Sequence, residues 1–184
     1  MKKVALIAII LFTVNMYSFG QSVEKENKSY VIPHDDDNAF LINVGVGKSD
    51  IEHLYVPFSI EYFANNDISV AVSMLMGFNT ETANNWEYSI FNYSTGLNLN
   101  YHLNTLFNLS YKWDLYLGAN GGYNINTVTP KDWNAPAFNS DDNRLYGGGQ
   151  IGIRYYITPV LGINAEGTLG TFRNGASLGI SLHF

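Results

Sequence analysis

The sequence predicts an all-β fold, an eight-stranded antiparallel up-and-down transmembrane β-barrel. Eight segments alternate apolar residues with small polar ones at a period of two, which is typical of strands with unlike faces. Beyond the first twenty residues, no apolar run approaches the length of a membrane helix. A chain that crosses a bilayer without such helices does so as a closed barrel, because only closure pairs every backbone group.

The last ten residues carry the clearest strand pattern. Ala176, Leu178, Ile180, Leu182 and Phe184 share one face, and the residues between them share the other. An apolar strand with an open edge invites aggregation. In a closed barrel the last strand pairs with the first, so the pattern favours closure.

Seven further segments complete the predicted barrel. The predicted strands are residues 39–48, 54–63, 67–78, 88–103, 113–124, 145–157, 160–169 and 175–184. Most have about ten residues or slightly more, the length that crosses a bilayer at a tilt. The connections 64–66 and 157–159 are short, whereas 49–53, 79–87 and 126–143 are longer. Short periplasmic turns and longer outer loops are typical of outer-membrane barrels, so both termini are expected on the periplasmic side.

The polar face indicates what surrounds the barrel. It consists mainly of Gly, Ser and Asn with scarcely a lysine, which suits the narrow interior of eight strands. A soluble lipocalin-like barrel, the alternative, would carry many Lys and Glu on its water-facing side. Aromatic residues near the strand ends fit two interfacial girdles. They are Tyr62, Tyr101, Trp113, Tyr155 and Phe184 at the turn end, and Phe78, Tyr88 and Tyr123 at the loop end.

The N-terminal region predicts export. Lys2 and Lys3 precede an apolar run, and Ser18 and Gly20 supply the small residues of a cleavage site, so residues 1–20 are predicted to be a signal peptide. Residues 21–38 are polar and are expected to form a flexible periplasmic tail, followed by the barrel domain, 39–184. Cleavage leaves eight basic against sixteen acidic residues, a formal charge of −8, which makes nucleic acid an unsuitable partner.

Three motifs support a family resemblance. They are Tyr155-Tyr156-Ile157-Thr158-Pro159 between two strands, the glycine-rich Tyr116–Tyr123, and the terminal Leu178–Phe184. With them, residues 39–184 resemble the small outer-membrane β-barrels of the OmpX/OmpA type found in Bacteroidota. The resemblance implies the outer membrane of a Gram-negative bacterium, contact with its lipid and lipopolysaccharide, and Phe184 as an assembly signal read by the barrel-assembly machinery.

Strand parity predicts a polar network in the lumen. The inward residues are Glu61, His102, Asp114, Gln150, Arg154, Glu166 and His183. A register matched across the Thr158-Pro159 turn sets Gln150 opposite Glu166 and Arg154 opposite Gly162. Arg154 is expected to be the only lumen cation and to pair with at least one of three carboxylates, because an unpaired buried charge costs several kcal/mol.

No catalytic, cofactor or metal site is predicted. A lipid A deacylase on this fold would need Ser, His and an acid together on the outer surface, and no such triad is evident. The acidic runs 34–37 and 141–143 are interpreted as solvated, although they could hold a cation. Two hypotheses remain: a non-enzymatic barrel that serves envelope structure or binds an unidentified ligand through its outer loops, and a lipid A-modifying deacylase or acyltransferase.

Overall fold

The computed structural model describes residues 39–136 and 143–184. The predicted signal peptide, the predicted tail and the acidic residues Asp141 and Asp142 lie outside these ranges. The boundaries at residues 20 and 38 therefore stay predictions.

The described chain forms one closed antiparallel barrel of eight strands, each paired with its neighbours in sequence. The strands are β1 Phe40–Ser49, β2 Leu54–Asn65, β3 Ile68–Ala83, β4 Trp86–His102, β5 Trp113–Pro130, β6 Arg144–Tyr156, β7 Leu161–Gly170 and β8 Asn174–His183. Strands β1 and β8 close the ring through a continuous register from Leu41–His183 to Ser49–Gly175. The predicted fold class is confirmed.

The outer face of the barrel is an apolar belt. Val72, Leu97 and Ile151 stand on three different strands and are 52%, 61% and 53% exposed. A soluble protein rarely leaves a contiguous apolar surface of this extent uncovered, whereas the hydrocarbon core of a bilayer matches it. The period-two pattern thus places the apolar side outward, as the sequence predicts. Within the described residues, no helix is long and apolar enough to span a membrane.

Aromatic pairs lie at both rims of the belt. At the turn end, the rings of Trp113 and Tyr155 are 4.7 Å apart, and at the loop end those of Phe78 and Phe91 are 5.2 Å apart. Tyr88 does not belong to the predicted outer girdle. Its side chain is buried, and its hydroxyl donates a hydrogen bond to the carbonyl of Pro136 at 3.3 Å.

Three strands extend beyond the others at the loop end. The predicted loop 79–87 is wrong, because β3 and β4 continue as a hairpin and turn at Asn84 and Asn85. Both asparagines have positive φ, 51° and 67°, the conformation that two-residue hairpin turns require and that asparagine tolerates. Strand β5 likewise continues to Pro130, so the predicted loop 126–143 begins later. We call residues 79–91 and 125–130 the protruding sheet.

The edges of the protruding sheet are partly blocked. Pairing of β3 with β2 ends at Phe78, and pairing of β5 with β6 ends at Asn124. The amide of Thr80 donates to the side-chain oxygen of Asn79 at 2.8 Å. On the other edge, Pro130 has no amide hydrogen to offer. Such devices reduce the tendency of an unpaired strand to recruit another chain.

At the opposite end of the barrel, the connection between β4 and β5 contains the short helix α1, Asn104–Phe107. Asn104 is buried: its side-chain oxygen accepts the amide of Leu115 at 3.0 Å, and its Nδ2 donates to Asp114 at 3.3 Å. The connection therefore lies against the lumen and contributes to closing its turn end.

Candidate functional site in the barrel lumen

The lumen is filled in layers along the barrel axis. The layer at the turn end is hydrophobic and consists of Ala39, Leu41, Phe63 and Tyr156, all buried. Above it lies a charged group of Glu61, His102, Asp114 and Arg154, which we call the inner cluster. A polar cavity follows, and an ion pair between Glu52 and Arg173 lies towards the outer end.

Arg154 is the centre of the inner cluster. Its Nη1 donates to Asp114 Oδ2 at 2.8 Å, and its Nη2 donates to Glu61 Oε2. The guanidinium also lies over the ring of Tyr116, with its carbon 4.4 Å from the ring centroid. All three charged side chains are almost completely buried. Arg154 therefore pairs with two carboxylates from different strands, and all three groups are shielded from solvent.

His102 is the fourth residue of the inner cluster. Its Nδ1 lies 2.7 Å from Asp114 Oδ1, and its Nε2 lies 2.9 Å from Ser69 Oγ. The Ser69 hydroxyl donates its one hydrogen to Glu61 Oε1 at 2.5 Å, so it can only accept from His102. The Asp114 carboxylate, already paired with Arg154, is also an acceptor. Both ring nitrogens consequently lie within hydrogen-bond distance of side-chain oxygens, one of Asp114 and one of Ser69.

The predicted register across the β6–β7 turn is wrong by two residues. Arg154 lies opposite Asn164 and not opposite Gly162. The turn is wider than predicted because the side-chain oxygen of Thr158 accepts the amide of Leu161 at 3.0 Å. The guanidinium consequently stacks on a tyrosine ring and does not fill a space left by an opposing glycine.

The same shift changes the surroundings of Glu166. Gln150 lies opposite Thr168, while Glu166 lies opposite Gly152. A Cβ atom at Gly152 would overlap the ring of Tyr116, so the glycine makes room for that ring. The Tyr116 hydroxyl donates to Glu166 Oε2 at 2.8 Å. Glu166 is thus held by a tyrosine that itself lies under Arg154.

Two other predicted lumen residues differ in their contacts. Gln150 reaches the inner cluster through one intermediate: its Nε2 donates to Asn100 Oδ1 at 2.7 Å, and Asn100 donates to Glu61 at 2.8 Å. His183 does not reach the cluster. Its Nδ1 lies 3.1 Å from the carbonyl oxygen of Pro159, at the turn end of the barrel.

Sequence reasoning missed the outer ion pair. Arg173 donates from Nε to Glu52 Oε2 at 2.8 Å and from Nη2 to Oε1 at 2.5 Å. Glu52 is buried, and a Cβ atom at Gly77 would collide with it. Both charged residues lie in loops, where no strand parity assigns a direction to a side chain. Arg154 is therefore not the only arginine in the lumen, contrary to the prediction.

A second contact between the loops lies at the surface. Asn174 donates to the carboxylate of Asp50 from its backbone amide at 2.9 Å and from Nδ2 at 2.6 Å. Partial burial alone would raise the pKa of Asp50, but these hydrogen bonds stabilise the charged form and hold its pKa below the usual 3.8.

Between the inner cluster and the outer ion pair lies a cavity of about 110 Å³. Its walls combine amides, hydroxyls and tyrosines with apolar side chains such as Phe172 and with the guanidinium groups of Arg154 and Arg173. The lining includes Asn43, Tyr55, Ser59, Asn98, Asn120, Tyr146, Asn164, Glu166, Thr168 and Ser177. Polar cavities of this size hold several hydrogen-bonded water molecules.

The lumen also contains an arrangement that resembles a catalytic triad. Ser69, His102 and Asp114 lie at the distances of a serine hydrolase, an arrangement that the sequence analysis did not anticipate. All three residues are 0% exposed, and Ser69 does not line the cavity. In a hydrolase the histidine accepts the serine proton, whereas here it donates to Ser69 and the serine proton goes to Glu61. The arrangement lacks both an activated nucleophile and access.

The described residues offer no group of three or more His, Asp or Glu side chains that could hold a metal ion.

Phe184 lies on the lipid side at the turn end, 69% exposed. Its amide donates to the carbonyl of Phe40 at 2.9 Å, and its carbonyl accepts the Phe40 amide at 3.2 Å. The last residue is thereby part of the β1–β8 closure, while its role in assembly stays a prediction.

Comparison with known proteins identifies the fold. No protein-family model matches the chain, and no curated protein matches its sequence. The chain is similar in structure to the outer membrane protein OprG from Pseudomonas aeruginosa, with a TM-score of 0.59 and 11% identity, over 84% of this chain and 99% of that one. It is also similar to the Yersinia pestis outer membrane protein Ail in a phospholipid bilayer nanodisc, with a TM-score of 0.50 and 15% identity, over 80% of this chain and 100% of that one. Together with the apolar belt, these similarities give the chain the fold of a small eight-stranded outer-membrane β-barrel.

Proposed function

We propose that this protein is a non-enzymatic integral outer-membrane protein that acts through its outer loops, in envelope structure or in surface binding. The observation that carries the proposal is the filled lumen. Within the described residues, a hydrophobic layer, a charged cluster and an outer ion pair occupy the barrel and obstruct its axis. The interior is then a stabilising core, and the loops are the parts of the protein that a partner can reach.

Its partners in this role are outer-membrane lipid along the apolar belt, lipopolysaccharide at the outer rim, and the barrel-assembly machinery during insertion. Support comes from the exposed belt and its two aromatic rims.

The proposal is tested by separating the loops from the barrel. Replacing residues 131–143 with a Gly-Ser linker of equal length leaves the strands in place and removes most of the longest outer loop. We expect this variant to fold and insert normally but to lose surface binding, or to weaken the envelope, as the complete deletion does. A variant that fully restores the phenotype of the deletion strain would contradict a role for this loop.

The alternative, a lipid A-modifying enzyme, is favoured only by the distances among Ser69, His102 and Asp114. Incubation of the refolded protein with lipopolysaccharide, followed by mass spectrometry of lipid A, distinguishes the two functions. We expect no change in the acyl chains and no labelling by a fluorophosphonate probe. Labelling that disappears in Ser69→Ala would overturn the non-enzymatic proposal.

A further inference from the structure

The β4–β5 connection exposes two large apolar side chains at its tip. Leu106 is 67% exposed and Phe107 is 44% exposed, although both belong to helix α1 and not to a strand of the apolar belt. Loops that face water are normally polar, and the neighbouring β2–β3 turn follows that rule with the exposed Asn65 and Asn66. The tip of the β4–β5 connection therefore differs from a loop that contacts water alone.

Buried contacts at both ends of the connection determine where this tip points. Asn104 is bonded on the lumen side to Asp114 and to the amide of Leu115, and Tyr111 packs against the hydrophobic layer of the lumen. Successive helical residues are rotated by about 100°, so the Leu106 side chain is directed about 200° away from that of Asn104. The tip is consequently held in a fixed position, with Leu106 directed away from the lumen.

The turn end of the barrel also carries little charge. Among the described connections at this end, 64–67, 103–112 and 157–160, Asp67 and Lys112 are the only charged residues, and Asp67 is partly buried. By contrast, the loop-end connections 50–53, 131–136 and 171–173 all contain charged side chains. Lys112 is exposed, and its Nζ lies 5.7 Å from the centroid of the Tyr111 ring. Apolar side chains with a neighbouring exposed cation are typical of a surface in contact with lipid headgroups.

The apolar belt extends to this same end of the barrel. Tyr101 of β4, Ile157 after β6 and Phe184 after β8 are all exposed there, and Trp113 packs against Tyr155 on the same rim. The β4–β5 connection starts directly after Tyr101 and His102 and ends at Trp113. Its apolar tip is thus attached to the belt at both ends.

From this continuity and this charge distribution we infer that the tip of the β4–β5 connection is a membrane anchor. Leu106 and Phe107 insert between the lipid headgroups of the leaflet at the turn end, and Lys112 contacts a lipid phosphate. Insertion removes apolar surface from water, which stabilises the inserted barrel. The inference rests on the proposed integral-membrane function and adds to it a lipid contact outside the strands.

The first test measures the depth of the tip in the bilayer by spin labelling. The sequence contains no cysteine, so the single variants Leu106→Cys, Asn66→Cys and Leu97→Cys can each carry one nitroxide label. In vesicles of phosphatidylcholine and phosphatidylglycerol, O₂ is enriched in the bilayer, whereas a water-soluble nickel chelate is excluded from it. The ratio of collisions with O₂ to collisions with the chelate is expected to be severalfold higher at Leu106 than at Asn66, and highest at Leu97 on the belt.

The three labels distinguish failure of the anchor from failure of the proposed function. Equal ratios at Leu106 and Asn66, with a high ratio at Leu97, would overturn the anchor alone, and the apolar tip would then be available to a protein partner. A low ratio at Leu97 would overturn both the anchor and the integral-membrane function.

The second test is urea unfolding in the same vesicles. Leu106→Glu takes an apolar side chain out of the lipid interface and puts a charge there, so it should raise the unfolding equilibrium constant by about tenfold. Asn66→Glu, the matched control, introduces the same charge at an exposed turn of the same end and should leave that constant almost unchanged. Equal effects of the two substitutions would contradict the anchor.

Discussion

Replacement of Arg154 by alanine tests the importance of the inner cluster. The substitution removes two charge-assisted hydrogen bonds, to Glu61 and Asp114, and the stacking on Tyr116. It also leaves Glu61 and Asp114 buried without their arginine partner. Removal of one partner of a buried ion pair typically costs 3–5 kcal/mol, and Arg154 serves two such partners. We therefore expect the free energy of unfolding to fall by about 3–5 kcal/mol.

The measurement is equilibrium urea unfolding in phospholipid vesicles, followed by tryptophan fluorescence. Lys131→Ala is the matched control, because Lys131 forms an exposed ion pair with Glu87 at 3.2 Å. An exposed pair contributes about 0–1 kcal/mol, so the two variants should differ severalfold. A loss for Arg154→Ala no greater than that for Lys131→Ala would refute the reasoning.

Three further predictions concern the terminus, the lumen glycines and the loops. Deletion of Phe184 should lower the amount of inserted protein in cells far more than it lowers the stability of the refolded barrel; equal surface levels would argue against an assembly signal. Gly152→Ala forces a Cβ atom into a tyrosine ring and should lower the free energy of unfolding by about 1–3 kcal/mol. In the same urea titration, Gly149→Ala should leave the free energy of unfolding nearly unchanged, because its Cβ meets only ordinary contacts on the outer face. Because the pKa of Asp50 is lowered, its hydrogen bonds with Asn174 contribute fully to stability above pH 3.8 and are lost as the pH falls below that value. Amide hydrogen exchange around these two residues should therefore accelerate in acid. Exchange that is independent of pH after correction for the intrinsic rate would refute this.

Strand periodicity was sufficient to predict the fold and the direction of most side chains. In β8 and β3 the alternation is almost uninterrupted, and the structure places their apolar residues on lipid. Register was harder to predict, because it depends on turn geometry: the Thr158 side chain bonds to Leu161 and shifts β7 by two residues relative to β6.

The contacts between side chains in the lumen were also only partly predictable from the sequence. Parity places Arg154, Glu61 and Asp114 inside, but it does not say which of them touch: Asp114 lies directly opposite Arg154 on β5, whereas Glu61 reaches it from β2. Glu52 and Arg173 could not be anticipated, because an irregular loop has no periodicity that assigns a side chain to one face. Triad-like distances among Ser69, His102 and Asp114 likewise depend on the register of the adjacent strands β3, β4 and β5.

The protruding sheet divides the backbone into two kinetic classes. Within the barrel ring, each strand is hydrogen-bonded to a neighbour on both sides, so displacing a segment of one strand disrupts two ladders of hydrogen bonds. In residues 79–83 and 125–130 each strand has a paired neighbour on one side only. The hairpin around Asn84 can therefore fray locally on a short timescale while the barrel ring stays intact.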